Sequence, residues 1–284
     1  MNPPISRRTV AASLLAGVAV LATPGAAFSA TSPAADRPVD PQQHPAKPTI
    51  VLIHGAFADA SSWSTVVGLL QRQGHHVLAP ALPLRGLASD AAYIRSVLDS
   101  VPGPIVLVGH SYGGSVISQA AAEFPRVKAL VYIAAFVPDI GESALELTGK
   151  YPGSTLAQAT STQSYPLPGG GTGEELIIKK DLFRQQFAAG VPVPTAQVMA
   201  AGQRPITLAA LQEKATAAAW KKIPSWYLVA TEDRNIPPAA EQWMAERAGA
   251  RTITVRAPHA VAVSDPRPVT DLILRALRSV RSDL

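Results

Sequence analysis

A single serine lies between glycines at the end of an apolar run, in the stretch IVLVGHSYGGSV at 105–116. The pattern Gly109-x-Ser111-x-Gly113 places it between a predicted buried strand and a predicted helix, which is the setting of a nucleophile elbow. In such an elbow the chain turns so sharply that the serine is strained and its hydroxyl stands above the sheet. Glycines there leave room where strand and helix crowd together. The motif predicts a nucleophile at Ser111.

A serine hydroxyl needs a base to attack a carbonyl at neutral pH, and the chain contains six histidines. Only His259 follows Ser111. It lies in the loop APHAVAVSDP, after the last predicted strand and at the same carboxyl edge of the sheet. His54 and His110 stand in turns beside the predicted site, where we interpret them as parts of those turns. We therefore predict His259 as the general base.

The base in turn needs an orienting carboxylate, expected between the serine and the histidine in chain order. The stretch ATEDRNIP follows the penultimate predicted strand and contains two adjacent acids, Glu232 and Asp233. Asp233 fits better because it stands three residues after Ala230, where the strand ends. Glu232 is the open alternative.

An oxyanion hole needs two backbone N–H groups, each worth about 3 kcal/mol. One is predicted from Tyr112, the residue after the nucleophile. The other is predicted from the HGAF turn at 54–57, most simply from Ala56 and otherwise from Phe57. This chemistry requires no metal and no cofactor.

The elements that must position these residues alternate along the chain. Apolar runs such as TIVLIH (49–54) and PIVLVGH (104–110) alternate with helical patterns such as SSWSTVVGLLQRQG (61–74). This alternation predicts an α/β fold with a mostly parallel central sheet flanked by helices. The pattern pauses at Val137 and resumes at 225–231. The intervening segment, about 138–222, is predicted to be a helical cap inserted over the site.

The N-terminal part of the chain has the composition of a targeting segment rather than of a fold. Arg7 and Arg8 precede an apolar stretch of small residues, so 1–30 is predicted to be a twin-arginine signal peptide. The apolar stretch is short for a membrane anchor. Residues 31–48 are predicted to be a disordered leader and 49–284 the folded domain. The expected location is extracellular, periplasmic or in the cell envelope.

Composition excludes several function classes. The formal net charge is +5, yet the basic residues are scattered and form no stripe with aromatics, so no nucleic-acid partner is expected. No other segment approaches the length of a membrane span, so no stable membrane association is expected. The chain contains no cysteine, which removes thiol nucleophiles and thiolate metal sites. The sequence leaves the oligomeric state open.

Taken together, the motifs VLIHGAFADASSW, VLVGHSYGGSVISQAAAEFP, IAAFVPD and SWYLVATEDRNIP, with the His259 loop, resemble the α/β-hydrolase fold superfamily. Within it, they resemble the branch of bacterial carboxylesterases, pyrethroid-type ester hydrolases, plant methyl esterases and hydroxynitrile lyases. The resemblance implies the triad Ser111, Asp233 and His259 and the oxyanion turn. Hydroxynitrile lyases carry Lys and Thr where this chain has Ala260 and Gly55, which argues against lyase activity.

The expected function is therefore hydrolysis of carboxylic esters of small, largely apolar substrates through an acyl-enzyme. The alternatives are another serine-triad reaction on this fold, such as lactone or amide hydrolysis or perhydrolysis, or a non-catalytic ligand-binding homologue. The candidate substrate-contacting residues compete with a packing interpretation; they are Phe57, Trp63, Gln203 and Trp220.

Overall fold

The computed structural model describes residues 47–282. The predicted signal peptide, 1–30, lies outside the described residues, as does the predicted leader up to residue 46. Among residues 47–282, no helix combines the length and the apolar character needed to cross a bilayer.

Six parallel strands form the central sheet, in the spatial order β2-β1-β3-β4-β8-β9. A separate three-stranded antiparallel sheet has the order β5-β6-β7. The strands are β1 (Thr49–Ile53), β2 (His76–Leu78), β3 (Ile105–Ser111), β4 (Val127–Ala135), β5 (Thr160–Pro166), β6 (Thr172–Ile178), β7 (Ile206–Thr207), β8 (Ser225–Ala230) and β9 (Arg251–Val255). The predicted α/β fold with a mostly parallel central sheet is confirmed.

Helices connect successive parallel strands, as a parallel sheet requires. They are α1 (Ser64–Gln71), α2 (Leu87–Asp99), α3 (Tyr112–Ala120), α4 (Ala144–Thr148), α5 (Leu156–Ala159), α6 (Lys180–Gln186), α7 (Val193–Gly202), α8 (Leu208–Gln212), α9 (Pro238–Arg247), α10 (Val261–Ser264) and α11 (Pro266–Ser282). Short 3₁₀ turns lie at Ala60–Trp63 and Ala219–Lys221.

Both faces of the central sheet are covered. Strands β1 and β3 are buried at every residue, which explains their continuous apolar runs. Side chains of α1 and α11 pack with one set of strand residues, which includes Ile50 and Val106. Side chains of α2, α3 and α9 pack with the opposite set, which includes Val51 and Leu107. Two hydrophobic layers therefore hold the sheet rigid beneath its carboxyl edge.

The segment between β4 and β8 is the cap, defined here as residues 136–224. It contains α4 to α8, and it also contains the antiparallel sheet, which the sequence analysis did not predict. Strand β5 has the sequence TSTQSYP, and none of its residues is fully buried. Its sequence therefore lacks the alternation of apolar and polar residues by which a half-buried strand is recognised. Arg85, from the loop after β2, forms an ion pair with Glu175 of β6 and lies 4.6 Å from the ring centre of Tyr165.

Candidate functional site

Ser111 ends β3 and immediately precedes α3. Its backbone has φ 54° and ψ −124°, a conformation that non-glycine residues rarely adopt. The side chain is almost fully buried, and the Ser111 carbonyl accepts a hydrogen bond from the N–H of Phe136 at 3.1 Å. The sheet and the helix therefore hold this serine in a strained turn, as an elbow requires.

Close backbone packing around the Ser111 turn explains why glycines occupy two neighbouring positions, Gly55 and Gly113. A Cβ added to Gly55 would lie 2.6 Å from the Cβ of Ser111. A Cβ added to Gly113 would lie 2.6 Å from the carbonyl oxygen of Ile53, on β1. The HGAF turn and the first turn of α3 thus meet without room for a side chain between them.

His259 and Asp233 are joined at the carboxyl edge of the sheet. Nδ1 of His259 lies 2.5 Å from Oδ2 of Asp233, and both side chains are buried. The other carboxylate oxygen, Oδ1, accepts the N–H groups of Asn235 at 2.6 Å and Ile236 at 3.0 Å. In the described part of the chain, Nε2 of His259 is buried and has no hydrogen-bond partner. The ring is therefore oriented through one nitrogen and free at the other.

His110, the residue before the serine, supports His259 from the sheet side. Its Nε2 lies 2.9 Å from the carbonyl oxygen of His259, and because a carbonyl only accepts, Nε2 carries the proton. The two ring centres are 4.7 Å apart. Burial, followed by the proximity of His259, lowers the pKa of His110 well below 6.5, so this ring is neutral. A neutral donor thus fixes the backbone of His259.

His54 fixes the HGAF turn in a similar way. Its Nε2 accepts the N–H of Leu82 at 2.8 Å, so its Nδ1 carries the proton and donates to the Gly55 carbonyl at 2.9 Å. Burial lowers the pKa of His54. Phe57, with φ 58°, donates its N–H to the Arg204 carbonyl at 3.1 Å. The turn is therefore tied to the loop before α2 and to the cap.

The cap also holds the loop that carries Asp233. The amide Nε2 of Gln186, in α6, donates to Oδ1 of Asn235 and to the carbonyl of Arg234, both at 2.8 Å. Its Oε1 accepts the hydroxyl of Thr155 at 2.7 Å. The next residue, Phe187, accepts the N–H of Ala260 at 2.9 Å. Gln186 and Phe187, named here the cap latch, thus connect the cap to both the Asp233 loop and the His259 loop.

A cavity of about 490 Å³ opens beside Ser111. The HGAF turn, the Ser111 turn and the loop after β8 contribute part of its lining, and the cap contributes the larger part. No lysine, arginine, aspartate or glutamate of residues 47–282 lines it. The lining side chains from the cap are mostly apolar and include Leu145, Tyr151, Leu156, Leu176, Leu208 and Leu211. The cavity is therefore suited to neutral, apolar groups.

Of the four candidate substrate contacts, Phe57 lines this cavity, whereas the other three have packing roles. Trp63 is fully buried in the hydrophobic layer formed with α1 and α11. Both amide atoms of Gln203 bond to the backbone of Ile178. Trp220 donates its indole N–H to the Pro138 carbonyl at 2.8 Å. Each of these polar or aromatic groups already has a structural partner or layer, and the lining of this cavity includes none of the three, so substrate contact by Trp63, Gln203 and Trp220 stays a prediction.

The two adjacent acids, Glu232 and Asp233, have different surroundings in the structure. Glu232 is solvent-facing and pairs with Arg256 at 2.7 Å, whereas the Asp233 side chain is buried against His259. Sequence reasoning did not find Gln186, because a lone glutamine in a short cap helix carries no motif. Sequence reasoning also did not find the apolar residues of the cap wall, because they belong to no motif either.

A model of the alpha/beta hydrolase family matches residues 50–272. Methylesterase 1 of Arabidopsis thaliana is 26% identical over 219 residues, which cover 70% of this chain and 83% of that protein. A carbendazim-hydrolysing esterase of a Nocardioides species is 34% identical over 113 residues, 35% of this chain and 47% of that protein. The crystal structure of polyneuridine aldehyde esterase superposes with a TM-score of 0.70 at 22% identity, covering 81% and 98% of the two chains.

Proposed function

This chain belongs to the alpha/beta hydrolase family and is a carboxylic ester hydrolase, and on that premise we propose that it works through Ser111, His259 and Asp233. The proposal rests on the state of the His259 ring. One nitrogen is bound to a buried carboxylate at 2.5 Å, and the other is buried and has no hydrogen-bond partner among residues 47–282. The His259 carbonyl is hydrogen-bonded to His110, the residue before the strained Ser111. An imidazole held in this way has one nitrogen available to accept a proton.

The reaction then follows from these groups. Nε2 of His259 takes the hydroxyl proton of Ser111 while Oγ forms a bond to the ester carbonyl carbon. Asp233 stabilises the resulting imidazolium. The same proton passes to the leaving alkoxide, the alcohol departs, and an acyl-enzyme remains. A water molecule, deprotonated by His259, attacks the acyl carbon, and the acid leaves as Ser111 recovers its proton.

The charge that develops on the carbonyl oxygen is assigned to two backbone N–H groups. Tyr112 is the first residue of α3, so its N–H has no partner within the helix. On the HGAF turn, the N–H of Phe57 is already donated to Arg204, which favours the N–H of Ala56 as the second donor. Each donor is expected to contribute about 3 kcal/mol to transition-state stabilisation.

The substrate class follows from the cavity wall. Because no charged side chain from the described part of the chain lines the cavity and most of its wall is apolar, we propose small, largely apolar, neutral esters as substrates. A free carboxylate or an ammonium group on the substrate would lose hydration there without gaining a partner.

Turnover of p-nitrophenyl esters from acetate to octanoate by the purified protein tests the proposal. Ser111→Ala is expected to lower kcat by at least about 10⁴-fold, since the nucleophile is lost. Ser115→Ala is the matched control, because Ser115 is equally buried on α3 and its hydroxyl has no partner within the described residues. The control is expected to keep full activity.

Absence of turnover together with absence of labelling by a serine-directed phosphonate would overturn the proposal and favour a ligand-binding homologue. Phosphonate labelling of Ser111 without ester turnover would instead favour another triad reaction, such as lactone or amide cleavage or perhydrolysis.

We further propose that the chain is exported through the twin-arginine route, on the basis of Arg7, Arg8 and the apolar stretch that follows them. Replacing both arginines by lysine is expected to retain the protein in the cytoplasm of a host with a working twin-arginine system. Export of the double variant at the wild-type level would contradict this route.

A further inference from the structure

A second carboxyl group lies beneath the proposed catalytic acid. Glu241, in α9, is completely buried, and its Oε2 accepts the backbone N–H of Ala230 at 3.0 Å. Ala230 also accepts the N–H of Asp233 at 3.2 Å through its carbonyl, so one residue binds both segments and brings the Asp233 carboxylate close enough to act on the Glu241 carboxyl. Within residues 47–282, no lysine or arginine forms an ion pair with Glu241. A buried carboxylate without a cation is costly, so the position calls for an explanation.

The hydrogen-bond donors and acceptors of the two carboxyl groups explain why Glu241 can be buried here. A carboxylate offers about four acceptor sites. Asp233 uses three of them, for Asn235, Ile236 and His259. Oε1 of Glu241 is buried and has no donor to accept from in the described part of the chain. If Oε1 carries a proton, it becomes a donor, and the acceptor within its reach is Asp233.

The surroundings favour this protonated form. Burial, and after it the negative charge of Asp233, raise the pKa of the Glu241 carboxyl well above its ordinary value of 4.5. Tyr227, on β8, is a further titratable group beside Glu241. Its hydroxyl donates to the Ala135 carbonyl at 2.5 Å and accepts the Ala135 N–H at 3.1 Å, so its proton is not available to Glu241.

We propose that Glu241 is a positioning residue, a neutral carboxylic acid whose O–H donates to Asp233 and fixes the carboxylate that orients His259. This inference rests on the proposed catalytic roles of Ser111, His259 and Asp233. Glu241 touches neither substrate nor the reacting atoms. Its hydrogen bond supplies the fourth donor to Asp233, while its bond to Ala230 connects that donor to the end of β8.

Two substitutions separate the donor from the side-chain volume. Glu241→Gln keeps an acceptor for Ala230 and an N–H donor for Asp233, so it is expected to retain kcat within about threefold. Glu241→Leu keeps the volume and loses the donor, so kcat for p-nitrophenyl butyrate is expected to fall at least tenfold with KM nearly unchanged. Glu246→Gln, an exposed position on the same helix, is the control. Equal losses in the Gln and Leu variants would overturn the proposal, as would full activity of the Leu variant.

Stability as a function of pH reports whether Glu241 keeps its proton in the folded chain, whether or not the protein hydrolyses esters. Above pH 4.5, Glu241 in the unfolded chain releases its proton while the folded chain retains it, so rising pH favours unfolding of the wild type. Glu241→Gln has no proton to lose. From pH 5 to pH 7, its unfolding equilibrium constant is therefore expected to fall relative to that of the wild type by up to about tenfold per pH unit. The Glu246→Gln variant is expected to show no such trend.

These outcomes separate this inference from the proposed function. One outcome is that the protein does not hydrolyse esters while Glu241→Gln still shows the pH-dependent gain in stability. This result would support a protonated Glu241 and would overturn its role in positioning a catalytic residue. Ester turnover with a stability difference that is constant between pH 5 and pH 7 would overturn the shared proton and leave the triad intact. If Glu241→Leu fails to fold, the pH series on the Gln variant still decides.

Discussion

The sheet edge and the cap wall border the same cavity, but they are built differently. At the sheet edge, Ser111 is held by strained backbone, and His259, Asp233 and His54 are each held by hydrogen bonds within 3.0 Å. The cap wall offers mainly apolar side chains, whose surface many residues could replace. The sheet edge therefore tolerates little change, and the cap wall can vary in residue type while the chemistry stays the same.

Within this comparison, the largest effect should come from replacing one of two adjacent acids. Asp233→Asn removes the carboxylate that fixes the His259 tautomer, so kcat is expected to fall about 10³- to 10⁴-fold. Glu232→Gln loses only an exposed ion pair with Arg256 and should change kcat less than twofold. Steady-state kinetics on one ester measures both. Comparable losses in the two variants would remove the distinction between the buried and the exposed acid.

Replacing glycine by alanine should have opposite effects on stability at a crowded backbone position and at an open one. Gly55→Ala places a Cβ 2.6 Å from that of Ser111, so we expect a loss of about 1–3 kcal/mol in unfolding free energy and a large loss of activity. Gly68→Ala, in α1, meets only the end of the Arg72 side chain and should stabilise the protein by up to about 1 kcal/mol. Urea unfolding measures the change in unfolding free energy of each variant, which should be a loss for Gly55→Ala and a gain for Gly68→Ala. Changes of the same sign would contradict the crowding at Gly55.

The cap latch tests whether the cap supports the chemistry as well as the cavity. Gln186→Ala leaves Oδ1 of Asn235 and the Arg234 carbonyl without their donor, so about 1–3 kcal/mol of stability and several-fold in kcat should be lost. Gln185→Ala, the exposed neighbour, should have almost no effect. An unchanged kcat in Gln186→Ala would show that the two regions act independently.

The smallest effect on acetate turnover is expected on the cap wall itself. Leu208→Trp fills part of the cavity, so kcat/KM for octanoate relative to acetate should fall about tenfold while acetate turnover stays within about twofold. Leu167→Trp, on the exposed hairpin turn, is the control. A loss of acetate turnover equal to that of octanoate would mean that this wall also serves the reacting groups.

The same contrast explains what could be predicted from the sequence. The fold and the positions of Ser111, Asp233 and His259 follow from apolar periodicity and from motifs whose spacing the chemistry dictates. The cap follows no such rule, because its apolar surface is set by shape rather than by residue type. Trp63 and Trp220 illustrate this, since an aromatic residue looks the same in a sequence whether it packs in a core or faces a cavity. Gln186 and Glu241 act through contacts between distant segments, which no local pattern encodes.

The cap latch has a consequence for protein engineering. Exchanging the caps of related enzymes is an obvious route to new selectivity, and the natural cut points would be the ends of β4 and β8. Here, such a graft would also remove Gln186 and the Phe187 carbonyl, which brace the loops of Asp233 and His259. A chimera would retain its catalytic competence only if the transplanted cap carried equivalent donors and acceptors. The end of α6 should therefore be treated as part of the hydrolase core rather than as part of an exchangeable cap.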